Sequence, residues 1–245
     1  MFPTVVREVV MRVLAIGCHP DDLEICCFGT LRKYIEQGAD VYACHVSNGD
    51  QGHPLISPEE LAKIRADEAT KAGKTIGVKE VFHLDAPDMY ANYYDEKILN
   101  ELADIICLVR PDLLITHNDQ DYHPDHIEVS KLVSKAAFLS GLPHRKTKYQ
   151  MYQSFIPTFY MDTLAGVDFN PTHYVNISNQ IELKLEALAK HQTQVKWMAE
   201  HDNIDFIDMV RTCSKYRGFQ CGVDYAEGFR PHDVYQRHST KHLLP

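Results

Sequence analysis

Short apolar segments alternate with helical segments along the first half of the chain. The apolar segments have the length and composition of buried strands, and they cover residues 12–18, 41–46, 81–84 and 113–116. Helical patterns follow them at residues 22–37, 58–72, 95–109 and 127–140. Four strand-then-helix repeats are typical of a parallel sheet with helices on both faces. The sequence therefore predicts an α/β fold of three layers around a mostly parallel central sheet.

The second half of the chain has a different pattern. Residues 149–160 and 173–177 are predicted as strands and residues 180–197 and 204–217 as helices, and the tail from Gly218 is predicted to be irregular. No internal repeat, low-complexity segment or Gly/Ser-rich linker divides the 245 residues. We therefore expect a single domain over residues 1–245. Residues 1–10 are a candidate N-terminal extension, because the pattern begins near Met11.

Charge and cysteine usage narrow the class of protein. The formal net charge is −9 and no basic stripe is present, which disfavours a nucleic-acid partner. Seven cysteines without a CxxC pair indicate reduced thiols, and hence a cytoplasmic protein. Neither a signal-peptide apolar segment nor a run of about 18 apolar residues occurs, so we expect no membrane span.

Two polar clusters follow predicted strands. Residues 18–24 read CHPDDLE after the first strand, and residues 119–126 read DQDYHPDH after the fourth. Each contains His-Pro-Asp followed by Asp or His. Because the carboxyl ends of parallel strands meet at one edge of a sheet, we expect the two clusters to lie close together.

The residue types in these clusters suit a divalent metal of the zinc class. His19 and Asp22 are three residues apart at a helix start, and His126 can complete a three-ligand set. In the alternative interpretation, His-Pro only shapes a loop and Asp21 or Asp22 caps the helix. The presence of two matched clusters favours the metal site.

The remaining polar residues of the clusters suggest catalytic roles. Asp21 would enter the site without a metal bond, which is the position of a general base beside activated water. Asp125 is a candidate for orienting a histidine ring. His123 is a candidate oxyanion stabiliser or general acid.

These motifs resemble those of a known family. CHPDDLE is similar to the AHPDD-x-E motif of the PIG-L (LmbE-like) zinc-dependent N-deacetylases, and HPDH is similar to their second motif. The resemblance extends to Asn48-Gly49-Asp50-x-Gly52, to Arg65-x-x-Glu68 with Ala69, to Lys184-x-x-Ala187-Leu188-x-x-His191-Gln192-x-Gln194, and to Tyr225-Ala226-Glu227-Gly228-Phe229. It is greatest to bacterial deacetylases of N-acetylglucosaminyl conjugates, of the bacillithiol-pathway type.

The resemblance implies a Rossmann-like fold and one zinc ion, for which Fe²⁺ is an alternative. It implies that His19, Asp22 and His126 bind the metal, that Asp21 is the base, and that His123, supported by Asp125, assists the oxyanion or the leaving amine. It also implies substrate contacts, for which the candidates are Arg65, Asn48, Asp50 and Tyr122. Cys18 stands where the family has alanine, and Phe206 lies near the place of a late tyrosine.

The function implied is hydrolysis of the N-acetyl group from an amino sugar or an N-acetylglucosaminyl conjugate. An alternative is the same chemistry on another acyl group or on a secondary metabolite such as an aminoglycoside precursor. A Rossmann-like binding module without activity is the non-enzyme alternative, although no GxGxxG follows the first strand. The resemblance further implies a homo-oligomer, either a trimer or a hexamer.

Overall fold

A seven-stranded sheet forms the middle layer of the computed structural model, which describes residues 10–153, 155–235 and 242–245. Its strands are β1 (Arg12–Gly17), β2 (Asp40–Ser47), β3 (Glu80–Ala86), β4 (Leu113–Thr116), β5 (Thr158–Met161), β6 (His173–Asn176) and β7 (Ala226–Pro231). They are arranged in the order β3-β2-β1-β4-β5-β7-β6. The first five are parallel, and β7 runs antiparallel to both β5 and β6. The predicted α/β fold with a mostly parallel sheet is confirmed.

Eight α-helices accompany the strands within the described residues. They are α1 (Asp22–Cys26), α2 (Phe28–Glu36), α3 (Pro58–Ile76), α4 (Glu96–Val109), α5 (Pro124–Ser140), α6 (Ile181–Leu188), α7 (Gln192–His201) and α8 (Phe206–Cys221). None of the helices in this part of the chain is long and apolar enough to cross a membrane.

The two faces of the sheet bury separate apolar cores. Alternate residues of a strand point to opposite faces, and β1 shows this directly. Val13 and Ala15 pack with α1, α2, α6 and α8 on one side. Leu14 and Ile16 pack with α4 and α5 on the other. All four side chains have no solvent exposure, so the three-layer arrangement follows from two apolar strand faces.

The chain order reverses beside β1, which pairs with β2 on one side and β4 on the other. Ile16 aligns with Thr116 near the carboxyl ends of β1 and β4. The loops that leave these two strands are therefore neighbours, and they carry the two polar clusters. In open α/β sheets, ligands bind at such a switch point.

The predicted helix at residues 22–37 is wrong in one respect, since it is interrupted at Cys27, where φ is −145°. The break leaves the first backbone N–H groups of α2 unpaired within the helix. Glu227 of β7 pairs with two of these groups, because its carboxylate accepts hydrogen bonds from the backbone nitrogens of Gly29 and Thr30. Lys184 of α6 in turn donates to Glu227 at 2.6 Å.

The predictions for the second half are less accurate. Only residues 158–160 of the predicted strand 149–160 lie in β5. Before it, Tyr152 donates its backbone N–H to the carbonyl of Ser140 and its hydroxyl to the carbonyl of Pro111, so this stretch packs over helix ends. The predicted irregular tail is also wrong. Residues 218–221 form the end of α8, and strand β7 pairs with β5 on one side and with β6 on the other.

Other boundaries differ by shorter lengths. Helix α3 continues past residue 72 to Ile76 and stops at Gly77, whose φ of +93° suits a glycine. The predicted helix at residues 180–197 is divided into α6 and α7 around His191. Apart from Val10, the candidate N-terminal extension lies outside the described residues.

Candidate metal centre and active site

The loop after β1 and the start of α5 bring His19, Asp22 and His126 together. One ligand atom from each lies within 4.8 Å of the others. His19 Nδ1 is 3.4 Å from Asp22 Oδ2, and His126 Nε2 is 3.4 Å from Asp22 Oδ1. Two imidazole nitrogens and a carboxylate oxygen form a donor set that suits zinc and leaves a further position open. The structure therefore places the three predicted ligands in one cluster.

The charged side chains of this cluster shift one another's pKa values. Burial by itself would raise the pKa of the Asp22 carboxyl, but His126 and His117 hold it well below its usual range. Burial also opposes protonation of His126, yet the Asp22 and Asp121 carboxylates raise the pKa of His126 to about 9. A cation is thus favoured at this position, whether it is a proton or a metal ion.

His117 belongs to this cluster although the sequence analysis gave it no role. Its ring stacks on that of His126, with centroids 3.9 Å apart and planes 15° apart. Burial and the neighbouring His126 lower the pKa of His117 to about 4, so its ring is neutral near pH 7. Its Nε2 lies 2.8 Å from the backbone nitrogen of Cys18, from which it accepts a hydrogen bond. The available signal was its position directly after β4.

Carboxylates contact the outer ring nitrogens of the two histidines in the ligand set. Asp121 Oδ2 lies 3.1 Å from His126 Nδ1. Asp125 Oδ2 and Asp88 Oδ1 lie 3.4 Å and 3.2 Å from His19 Nε2. Such partners fix the orientation of ligating rings. Asp125 was expected to support His123, but its contact is with His19, and the sequence analysis missed Asp88 and Asp121.

Asp21 is buried at the N-cap of α1 in an unusual backbone conformation. Its φ is +135° and its side chain makes no capping hydrogen bond, so the helix-cap interpretation of this residue is wrong. Residues held at such angles cluster at functional sites. Burial, followed by the negative charge of Asp22, raises the pKa of Asp21 to about 7. A carboxylate with this pKa exchanges protons readily near neutral pH.

The side chain of Asp22 has a different local partner. It accepts a hydrogen bond of 2.6 Å from the backbone nitrogen of His19, three residues earlier. This bond closes the loop around the His-Pro pair and turns His19 toward Asp22. In the sequence HPDD, Asp22 thus belongs to the His/Asp cluster and Asp21 does not.

A cavity of about 180 Å³ opens over this cluster. Its polar lining includes His19, Asp21, Asp22, Arg65, Asp88, His123, His126 and Gln194, and its apolar lining includes Ile25, Tyr122, Leu164, Trp197, Met198 and Phe206. His123 Nδ1 is buried and has no hydrogen-bond partner among the described residues. Phe206, which aligns near the place of a late tyrosine, lies in the cavity wall.

Arg65 reaches the cavity from α3 and is firmly held there. Its Nη2 donates to Gln194 Oε1 at 2.6 Å and to the carbonyl of Gly52 at 3.3 Å. Arg65 and Tyr122, two predicted substrate contacts, therefore border the cavity. The other two, Asn48 and Asp50, do not line it.

Asn48 and Asp50 instead stabilise the loops around the site. Asn48 donates to the Asp85 carboxylate, and its side-chain oxygen accepts from the backbone of Asp50. The Asp50 carboxylate accepts from the backbone nitrogen of Asp88, which places Asp88 beside His19. The turn interpretation fits these contacts, and the sugar-contact interpretation has no support in this geometry.

A buried pair lies at the base of the site. His191 Nε2 is 3.0 Å from Glu24 Oε1, and neither side chain is exposed to solvent. Glu24 belongs to the first cluster and His191 stands at the N-terminus of α7. The pair connects the loop after β1 to the second half of the chain.

A doubly wound α/β sheet with a buried His/Asp cluster at its switch point defines an α/β enzyme of the hydrolytic type. The chain belongs to the PIG-L family, because residues 14–137 match the sequence profile described as GlcNAc-PI de-N-acetylase. This match covers the strands, loops and helices that supply the His/Asp cluster, which agrees with the expected family.

Named relatives and a solved structure extend the likeness over most of the chain. Diacetylchitobiose deacetylase of Thermococcus kodakarensis is 29% identical over 90% of this chain and 83% of its own length. A probable N-acetyl-alpha-D-glucosaminyl L-malate deacetylase 2 of Bacillus cereus is 29% identical over 77% of this chain and 86% of its own. The N,N'-diacetylchitobiose deacetylase structure from Pyrococcus horikoshii has a TM-score of 0.78 at 27% identity and covers 91% of this chain and 84% of that one.

Proposed function

We propose that this protein hydrolyses the N-acetyl group of an N-acetylated amino sugar or N-acetylglucosaminyl conjugate, releasing acetate and a free amine. The observation that carries the proposal is the meeting of His19, Asp22 and His126 in one cavity with the buried Asp21. Membership of the PIG-L family and the deacetylase names of the relatives support it.

His19, Asp22 and His126 would hold a divalent metal, of which zinc suits the donors best. When bound, such a metal supplies a Lewis acid and lowers the pKa of water from 15.7 to about 7. The carboxylates on the outer ring nitrogens keep both imidazoles turned toward the ligand position.

Asp21 is the general base in this mechanism. It takes a proton from water as the oxygen attacks the acetyl carbonyl carbon. The amide C–N bond then breaks, and the leaving nitrogen receives the proton that Asp21 took, directly or through His123, to become the free amine. The position of Asp21 beside Asp22, in the same cavity but outside the ligand set, supports this role.

His123 lines the cavity with an unpartnered Nδ1 and contacts the His19 ring edge-on, with centroids 4.9 Å apart. Burial, together with the charges of His126 and His19, lowers the pKa of His123 below its usual value. Its role is to hydrogen-bond the carbonyl oxygen as negative charge develops there, or to protonate the amine. Arg65 and Tyr122 border the space for the sugar.

The test is acetate release from four compounds: N-acetylglucosamine, N,N'-diacetylchitobiose, N-acetylglucosaminyl malate and an N-acetylated aminoglycoside precursor. Each is assayed with metal-depleted protein and after restoring Zn²⁺ or Fe²⁺. Asp21→Asn should lower the rate by about 10²–10⁴-fold, whereas the exposed Asp119→Asn should behave as wild type. Release that persists fully without metal, or with Asp21→Asn, contradicts the mechanism.

A further inference from the structure

Helix α7 presents three residues to the cavity at helical spacing. Gln194, Trp197 and Met198 lie on one side of the helix and all line the cavity. No residue of α7 is fully buried: Met198 packs partly against the apolar core, and Gln194 and Trp197 are half-buried at the cavity. Its inner face is a cavity wall, and Trp197 is the single tryptophan of the chain.

The first turn of α7 is anchored to α3. The backbone nitrogen and hydroxyl of Thr193 donate to the Glu68 carboxylate at 2.9 and 2.6 Å. Gln194 accepts from Arg65 at 2.6 Å. Residue 197 lies about 4.5 Å further along the helix axis than residue 194. Trp197 therefore lies about one helical turn beyond the residue that contacts Arg65.

The ring of His201 restrains the plane of the Trp197 indole. The Trp197 ring stacks on His201, one turn later, with centroids 4.2 Å apart and planes 14° apart. His201 Nδ1 is itself 2.7 Å from Asp202 Oδ1. His201 covers one face of the indole, and Trp197 lines the cavity. This is a preorganised aromatic surface, which binds a ligand without losing side-chain freedom.

The charges of the cavity restrict what can lie on this surface. Asp21, Asp22 and Asp88 line it together with one guanidinium, that of Arg65. Two donors of Arg65 already face Gln194 and Gly52. A carboxylate group on the substrate would meet three carboxylates and a single guanidinium, whose Nη1 already lies 4.0 Å from Asp88 Oδ2, whereas a neutral ring with an apolar face would meet no such repulsion.

We propose that Trp197 is a stacking platform for a second ring joined to the N-acetylated sugar, so that the substrate is a neutral two-ring conjugate such as a disaccharide. This inference rests on the proposed deacetylase function and names its substrate class. The acetamido group lies at Asp21 and the His/Asp cluster, and the second ring lies against α7.

Kinetics with two substrates test the platform. For the metal-loaded protein, Trp197→Ala should lower kcat/KM for N,N'-diacetylchitobiose about tenfold more than for N-acetylglucosamine. Trp197→Phe, which keeps an aromatic face, should recover most of the disaccharide rate. His201→Ala should give an intermediate loss through KM. Lys196→Ala, exposed on the same helix, is the matched control.

Emission of the single tryptophan gives a readout that does not need turnover. In the metal-loaded Asp21→Asn variant, N,N'-diacetylchitobiose should change the Trp197 emission with saturation. N-acetylglucosamine and N-acetylglucosaminyl malate should change it less at equal concentration. Equal responses to all three compounds would overturn the platform.

The two proposals fail in different ways. Equal losses on both sugars in Trp197→Ala, or no loss on either, contradict the platform and leave the deacetylase function intact. Saturable disaccharide binding with no acetate release from any compound contradicts the function and leaves the platform. Preference for the malate conjugate over the disaccharide contradicts the neutral second ring.

Discussion

Lys184 and Glu227 form an ion pair in which Nζ lies 2.6 Å from Oε1, and both side chains are at most 2% exposed. The pair joins α6 to β7, and the same carboxylate holds the N-terminus of α2 through two backbone N–H groups. A charge buried this deeply is tolerated because the carboxylate accepts hydrogen bonds from Lys184 Nζ and from the backbone nitrogens of Gly29 and Thr30.

Loss of either partner should therefore be costly. Lys184→Met leaves the Glu227 charge buried without its cation and should lower the free energy of unfolding by about 3–5 kcal/mol. Urea denaturation measures this, and Lys190→Met, whose pair with Glu186 is on the surface, should cost about 1 kcal/mol or less. The double variant Lys184→Met/Glu227→Gln should cost less than the sum of the single variants. Additive losses would contradict the pairing.

The carboxylate on His126 should control metal affinity. Asp121→Asn removes the negative partner of His126 Nδ1 and should weaken Zn²⁺ binding by about 10–100-fold. Competition against a chromogenic chelator measures the change. Asp119→Asn, two residues away and exposed, serves as the control. An Asp121→Asn affinity within twofold of wild type would show that Asp125 and Asp88 orient the site without Asp121.

Metal binding should release protons. The pKa of His126 is raised to about 9 in the metal-free protein, and the pKa of His19 is also raised, against burial, by Cys18 and by hydrogen bonds to neighbouring aspartates. Below pH 9 His126 carries a proton that a metal must displace. At pH 7 we therefore expect at least one proton per Zn²⁺, fewer at pH 9.5, and weaker binding as the pH falls. Calorimetry in buffers of different ionisation enthalpy gives the count. A count of zero at pH 7 would contradict His126 as a ligand.

A small change at Gly52 should act on Arg65. A Cβ at Gly52 would lie 2.8 Å from Arg65 Nη2, so Gly52→Ala must push the guanidinium aside. If Arg65 binds the sugar, KM should rise about tenfold, the loss of one charged hydrogen bond. Steady-state kinetics on N,N'-diacetylchitobiose measure it, with Gln51→Ala as the control. Unchanged KM would remove Arg65 from the list of substrate contacts.

The fold of the first half could be predicted because its signals are local. Strands β1 to β4 contain short apolar runs, and helices α3 and α4 begin at the capping residues Ser57 and Asp95. Strand β7 was not predicted, because Ala226–Pro231 contains glycine and proline, which locally indicate a turn. Its strand conformation comes from pairing with β5 and β6, which are distant in sequence.

In the candidate site too, residues in local motifs could be predicted, whereas residues that depend on contacts distant in sequence could not. His19, Asp22 and His126 stand in short motifs, so spacing and strand ends were enough to bring them together. Asp88 contacts His19 from the loop after another strand, and no motif in its own segment marks it. His117 lies directly after β4, but its stacking on His126 depends on the fold. Asp50 was misread for a related reason, since its partner is the backbone of Asp88, 38 residues away.

The cavity draws its two walls from different parts of the chain. The His/Asp cluster and Asp21 all lie within residues 14–137, the segment that defines the family. The opposite wall comes from the second half, with Leu164, Gln194, Trp197, Met198 and Phe206. Substitutions confined to the second half would therefore reshape this wall of the cavity while leaving the His/Asp cluster and Asp21 unchanged.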